Sequence, residues 1–344
     1  MRIVHASSAV LRVYERASER WEIELREPQL EILTRQFAHG VLVDEATTAH
    51  TTSLRAKWEA DRICSRLAAQ GFVRAHGDAA AIGKADLEDA LRASPDDLDT
   101  YLVYADWLSE RGDDWGQLIA IQHALLTLPR FGESARRDEL SRSETALRFR
   151  LGARLWGALG ETVYDEQTQR YLCDLVDATW HCGFVRTARI RNVGADVFAD
   201  LVRGLNELAI GLVLRELTLL DAEWADGTIE AFAGRPWPSL ERLSITGDAF
   251  DARRLVAVLR NAPRLASLDV WGTTNTDALC DAIARAPQLE SVRLRQGQLT
   301  RAGVETLATA KLPALKTLEL GALAIDMRAR LQHLAPTVRV HVDG

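Results

Sequence analysis

The chain of 344 residues reads as an α/β protein. The expected architecture is a solenoid of stacked strand-and-helix units, parallel strands on one side and helices on the other. A helical domain and a small α+β domain precede it. Three observations predict this. From residue 185 onward the pattern apolar-x-x-apolar-x-apolar recurs, helix-like stripes fill the intervals between its copies, and the first 77 residues alternate as strands before one amphipathic helix. The expected domains are 1–77, 78–182 and 183–344.

In the first domain the strand-like runs are Val10-Leu11-Arg12-Val13-Tyr14, Arg20-Trp21-Glu22-Ile23-Glu24-Leu25 and Leu30-Glu31-Ile32-Leu33-Thr34-Arg35. Glu27-Pro28-Gln29 is a turn between two of them. After Gly40-Val41-Leu42-Val43, an amphipathic helix runs from Ser53 to Gln70, with Leu54, Trp58, Ile63 and Leu67 expected inward. Gly71-Phe72 follows its end.

The second domain reads as helices. Asp86 is expected to cap a helix through Arg92, and Pro95 with Asp96 and Asp97 opens the next. Leu98, Tyr101, Leu102, Ala105 and Leu108 share a face, and Gly112 sits where a Schellman motif ends a helix. Trp107 is expected to pack between helices and Asp106 to bond a neighbouring turn or Arg111. Arg136 to Arg150 is a charged helix, whose Arg142, Arg148 and Arg150, with Arg154, answer the local acidic excess. The region 126–144 is expected as a linker.

In the third domain the motif begins at Val185, Leu214, Leu240, Leu265, Leu289 and Leu315, with a weak last copy at Ala335. The spacings are 29, 26, 25, 24, 26 and 20 residues. The last two apolar positions of a copy are two apart, so both point to one side of a short strand and the residues beside them point to the other. Helical segments are expected over 195–208, 251–259, 276–285, 300–310 and 327–334. Asp277 and Thr300 are placed as N-caps or first-turn residues. Ala-Pro at 262–263 and 286–287, and Leu-Pro at 312–313, stop a helix before the next strand. One unit cannot bury its own apolar side, so neighbours must stack, and strands ~4.8 Å apart make a parallel ribbon roughly 25–30 Å long.

Parity lays out the exposed strand face in columns. The first is Glu216, Arg242, Ser267, Ser291, Thr317. The middle is Thr218, Ser244, Asp269, Arg293, Glu319, Arg339. The last is Leu220, Thr246, Trp271, Arg295, Gly321, His341. Trp271, flanked by Asp269, Arg293 and Arg295, makes a mixed aromatic and charged patch of the kind enriched at binding hot spots. The alternatives are that Trp271 packs over a loop or stacks on Arg295. The partner-binding candidates are Arg242, Asp269, Trp271, Arg293, Arg295, Glu319 and Arg339.

Charge and motif content narrow the function. The net charge is −7. Residues 1–77 carry 11 basic and 10 acidic side chains, residues 78–182 carry 11 and 20, and residues 183–344 carry 20 and 19. No part has the basic excess that phosphate neutralisation requires, which disfavours nucleic acid as a partner. No run of ~18 apolar residues reads as a membrane span, the N-terminus lacks a signal-peptide pattern, and a cytoplasmic location is expected. The four cysteines, Cys64, Cys173, Cys182 and Cys280, form no CxxC pair, so a zinc site is not expected. Phosphate-loop, GxSxG and HExxH motifs are absent. Adjacent His181-Cys182 has no evident third member. No catalytic residue, cofactor, metal or small-molecule substrate is expected.

Resemblances add to this reading. The repeat resembles leucine-rich repeats, of the longer type with helices on the convex side, similar to ribonuclease-inhibitor-like repeats. Residues 86–125, with Leu102-Val103-Tyr104-Ala105-Asp106-Trp107-Leu108 at their centre, resemble the companion domain that precedes repeat arrays in myxobacteria and planctomycetes. That likeness continues through Leu151-Gly152-Ala153-Arg154-Leu155-Trp156 and Trp180-His181-Cys182-Gly183-Phe184-Val185, and implies architecture only. Arg20-Trp21-Glu22-Ile23-Glu24-Leu25 and Ala69-Gln70-Gly71-Phe72 are similar to the WGR domain. Its Trp-Gly-Arg, due near Thr34-Arg35-Gln36-Phe37-Ala38-His39-Gly40, is missing. Some WGR domains contact nucleic acid, which here leaves Arg35 and His39 as the positions to carry such a role. The expected function is a non-enzymatic scaffold that binds a protein through the concave strand face. The alternatives are a regulatory substrate or inhibitor of a protease or effector, and nucleic-acid sensing by the first domain.

Overall fold

The computed structural model describes residues 9–26, 30–50, 53–76, 83–129, 132–157, 164–165, 170–171, 176–191, 195–220, 232, 234, 236–295, 299–321 and 330–331. The fold is mixed α/β, with a five-stranded antiparallel sheet, a seven-stranded mostly parallel sheet, and helices. The chain divides into two compact units, Met1–His123 and Ala124–Gly344. The expected turn at Glu27-Pro28-Gln29, the inward Leu54 side chain, the helix over 327–334 and the motif copy at Ala335 lie outside the described residues, apart from a helical Arg330-Leu331.

The first unit opens with β1 (Ala9–Arg16), β2 (Glu19–Arg26), β3 (Glu31–Ala38), β4 (Val41–Ala49), α1 (Ser53–Ala69) and β5 (Val73–His76). The sheet order is β4-β3-β2-β1-β5. Tyr14, Ile23, Leu25 and Ile32 on the sheet meet Ala56, Ala60, Cys64 and Leu67 on α1, and Phe72 closes the cluster. The alanines, four residues apart, form a smooth stripe that lets the helix sit close to the strands. Trp58 is also buried, but it lies beneath the guanidinium groups of Arg55 and Arg62, 4.9 and 5.4 Å from its centroid.

Three helices follow, α2 (Lys84–Ala93), α3 (Leu98–Ser109) and α4 (Asp114–Thr127), the division between units falling within α4. Gly83, not Asp86, is the N-cap of α2. Asp86 sits at the third helical position and its carboxylate accepts from the Gly83 N–H at 2.9 Å, the reciprocal half of a capping box. Asp97 caps α3, accepting from the Asp99 N–H and the Thr100 hydroxyl at 3.2 and 2.6 Å. The Schellman ending is present: Gly112 has φ +72° and the Asp113 N–H donates to the Leu108 carbonyl at 3.0 Å. Tyr101, Val103, Tyr104, Ala105 and Leu108 are buried, whereas Leu98 and Leu102 are half-buried. Neighbours on more than one side widen the buried stripe of α3 beyond a single face. Asp106 pairs with Arg55 of α1 at 3.3 Å, not with Arg111. Arg111 instead lies 3.8 Å over the Trp107 ring and donates to the Trp107 carbonyl.

The second unit contains α5 (Ser134–Leu155), β6 (Tyr164–Asp165), β7 (Arg170–Tyr171), β8 (Val176–His181), β9 (Phe184–Arg191), α6 (Ala195–Glu207) and β10 (Glu216–Leu220). It continues with β11 (Arg242–Asp251), α7 (Leu255–Asn261), β12 (Ser267–Thr274), α8 (Thr276–Ile283), β13 (Ser291–Arg295), α9 (Arg301–Thr309) and β14 (Thr317–Leu320). Within the region 126–144, expected as a linker, α4 runs to Thr127 and α5 begins at Ser134. Arg137 satisfies the carbonyls of Leu125, Leu128 and Pro129 at 3.4, 3.0 and 3.2 Å, so a long side chain does the work of a helix C-cap. Arg148 reaches Glu144 at 3.4 Å and lies 5.2 Å over Trp180.

β8 and β9 form an antiparallel hairpin through a two-residue turn, Cys182 at φ +46° and Gly183 at φ +83°. From β9 to β14 the strands are parallel, in the order β14-β13-β12-β11-β10-β9-β8. The register is constant through the two core rows and shifts only beyond Thr246, between β11 and β12. Ala188, Leu217, Leu243, Leu268, Val292 and Leu318 form one buried row, and Ile190, Leu219, Ile245, Val270, Leu294 and Leu320 form the next. A buried Leu, Ile or Val contributes about 1.5–3 kcal/mol, and these rows supply the core that no single unit makes for itself. The segment expected as a helix from 251 begins as a 3-10 turn, Ala252–Arg254, capped by the Asp251 side chain, and becomes α7 at Leu255; β11 runs up to Asp251, where Phe250 and Asp251 pair with Thr273 and Thr274.

Candidate functional site

The residues between the buried rows stand on the opposite face of the seven-stranded sheet. Strand pairing places Glu216, Arg242, Ser267, Ser291 and Thr317 side by side. Thr218, Ser244, Asp269, Arg293 and Glu319 follow, then Leu220, Thr246, Trp271 and Arg295. Gly321 continues the last column, its N–H bonded to the Leu294 carbonyl at 2.8 Å. Arg339 and His341 lie outside the described residues.

Four of the candidate side chains form one ion-pair network. Arg293 lies 3.7 Å from Asp269 and 3.1 Å from Glu319, and Arg295 lies 3.8 Å from Asp269 and 3.5 Å from Glu319. Two cations thus share two carboxylates on three adjacent strands. Ion pairs this exposed are worth about 0–1 kcal/mol each, and their main effect is to fix the two guanidinium groups in place. Arg242 belongs to a separate pair with Glu216, at 2.7 Å, nearer the start of the sheet.

Trp271 borders the network, between Thr246 and Arg295, and is 42% exposed. Among the described residues no arginine lies over its ring, because Arg295 is drawn to Asp269 and Glu319 instead. The indole therefore presents an open surface beside held charges.

The structure adds a strand to this face. β9 carries Thr187, Arg189 and Arg191 in the same three columns; Arg189 and Arg191 are exposed and in no ion pair among the described residues, with Asp177 opposite Arg189 across the hairpin. The signal was in the first motif copy, whose outward positions 187, 189 and 191 follow from the same parity as the rest.

Other candidate chemistry is held differently. Cys182 is fully buried and burial pushes its thiol up to about 12. Cys280 is likewise raised to about 12, by burial and then by Asp277 and Asp281. Both are thiols, not thiolates, at neutral pH. Arg35 is ringed by Glu22, Glu24 and Glu45 at 3.6, 3.5 and 2.8 Å, and His39 sits in the β3–β4 turn at φ +53°. Among the described residues no three His, Cys, Asp or Glu side chains group as metal ligands, and no helix is long and apolar enough to cross a membrane.

No protein-family model and no curated protein matches the chain. A crystal structure of a Bacteroides fragilis protein from a structural genomics programme is similar to it with a TM-score of 0.27 and 11% identity, over 97% of this chain and 95% of that one. A score that low bears on neither fold nor function.

Proposed function

We propose that residues 183–344 form a leucine-rich-repeat solenoid and that the chain is a non-enzymatic scaffold, binding a protein through the open strand face. The observation that carries this reading is Trp271, 42% exposed on an in-register strand face and flanked by an arginine–carboxylate network that holds polar groups ready at its edge. An aromatic anchor with a fixed charged surround is the arrangement from which binding hot spots are built. The pairing of Arg293 and Arg295 before any partner arrives lowers the ordering cost on contact. Arg189 and Arg191, in no ion pair among the described residues, extend the surface at its other end toward acidic groups on the partner.

The test is a pull-down from the protein's own cells with wild type and two variants in parallel, Trp271→Ala and Arg293→Glu. The bound protein is then identified and its retention quantified. Retention falls in both variants on this reading; equal retention in all three removes the face from the account.

A further inference from the structure

We propose that β4 pairs with β4 of a second copy of this chain, joining two five-stranded sheets about a two-fold axis at Ala46. β4 is an edge strand, and among the described residues no strand pairs with its outer side. All nine of its residues are exposed, including Val41 at 65%, Leu42 at 47% and Val43 at 55%. Protected edges carry proline, lysine or a disrupting bulge. β4 has no proline or lysine, and its one irregularity is a bulge at Val43, which the ladder skips between Asp44 and Leu42 near the hairpin tip. Residues 44–49 pair with β3 without a register shift, and their outer edge is regular.

The ladder states which groups are free. The His50 N–H donates to the Leu30 carbonyl at 2.8 Å, and Thr48 and Ala46 stand opposite Ile32 and Thr34 in the same alternating set. Antiparallel pairs alternate between bonded and unbonded, so Glu45, Thr47 and Ala49 turn N–H and C=O outward. Charge then selects a register. Axes at Asp44 or Glu45 set like carboxylates face to face, which is destabilising. An axis at Thr47 sets Glu45 opposite Ala49, which has no group to meet a carboxylate. The axis at Ala46 pairs residues 44–48 and sets Asp44 opposite Thr48 and Glu45 opposite Thr47. Each carboxylate then meets a hydroxyl of the other copy, and Glu45 and Thr47 exchange their outward N–H and C=O bonds. The pairing rests on this sheet alone and is independent of the strand-face reading.

In that register Ala46 faces its own copy in an unbonded pair, with Cα atoms about 4.5 Å apart, inside the ~4.4–6.8 Å span of a disulfide. Thr48 residues lie about 14 Å apart at ~3.4 Å per residue. Full-length Ala46→Cys, Thr48→Cys and wild type are mildly oxidised and resolved on non-reducing gels. Sedimentation velocity follows wild type and Thr47→Pro across a concentration series. The expected results are a cross-linked dimer at least tenfold more abundant for Ala46→Cys than for the other two, and a wild-type mass rising toward twice the monomer while Thr47→Pro stays lower. A wild type that remains monomeric throughout, or Ala46→Cys that cross-links no better than Thr48→Cys, overturns the proposal. The cysteine pair decides it even where Thr47→Pro fails to fold.

Discussion

Replacing Gly303 by alanine should loosen the contact between α8 and α9, and the structure says by how much. A Cβ at 303 would lie 2.3 Å from Oδ1 of Asp277 and 2.7 Å from Cδ1 of Leu299. The leucine tip can rotate; the carboxylate is held. Asp277, in the first turn of α8, accepts from the Thr300 N–H at 3.0 Å and from the Thr300 hydroxyl. Thr300 is the N-cap of α9 and accepts from the Ala302 N–H at 3.2 Å. One carboxylate thus fastens the start of one helix to the start of the next. Moving it forfeits a hydrogen bond to a charged acceptor, worth about 1.5–3 kcal/mol, and a favourable charge at a helix N-terminus, about 0.3–1 kcal/mol. Alanine in place of helical glycine returns about 1 kcal/mol. Partial exposure puts the net cost near the lower end, about 1–2 kcal/mol. Urea unfolding followed by circular dichroism reads it as a lower midpoint at unchanged slope. The decisive comparison is a double-mutant cycle. In an Asp277→Ala background the collision with the carboxylate is gone, and Gly303→Ala should be neutral or stabilising by about 0.5–1 kcal/mol. Equal destabilisation in both backgrounds would refute the reasoning.

Gly116→Ala should cost more, because its Cβ would stand 2.3 Å from the backbone carbonyl oxygen of Ala105, an atom that moves only with α3; a loss of several kcal/mol in thermal or urea unfolding is expected, on the scale of an overpacked core. Cys182 and Cys280, both buried and raised to about 12, should escape iodoacetamide in the native protein and react on unfolding, as read by peptide mapping. Asp251 is held at about 2 against the usual 3.8, chiefly by its hydrogen bond from Arg253. A depressed carboxyl contributes stability above its unfolded pKa and loses it as pH falls through the folded value, so the destabilisation of Asp251→Asn at pH 7 should shrink toward zero between about pH 4 and pH 2.

Some of this was legible in the residues and some was not, for physical reasons. The strands β9 to β14 were readable because two apolar positions two apart, repeated at near-constant spacing, leave one parity for the core. The same parity laid out the Trp271 face. The end of β11 was not readable, because Asp251 is kept in a strand by pairing with Thr274 across the sheet, a contact that its own neighbours do not announce. The partner of Asp106 was misjudged for the same reason: Arg111 is close in sequence, yet Arg55 arrives from α1. β4 was missed altogether. Asp44-Glu45-Ala46-Thr47-Thr48-Ala49 has no apolar alternation, since neither face of that strand is buried, and the pattern that marks a strand is a record of burial. The Trp271 indole stayed open because Arg295, one of its expected partners, pairs with carboxylates on β12 and β14.

Binding at the open strand face, as proposed, turns on Trp271. Some 42% of that residue is exposed, about 100 Å² of a side chain of roughly 250 Å². Covering it is worth about 2.5 kcal/mol at ~25 cal/mol per Å², or about 70-fold in affinity. The measurement is the calorimetric Kd of the recovered partner for wild type and for Trp271→Ala. The account predicts weakening of about 30- to 100-fold with the fold and thermal midpoint retained; a Kd within twofold of wild type would contradict it.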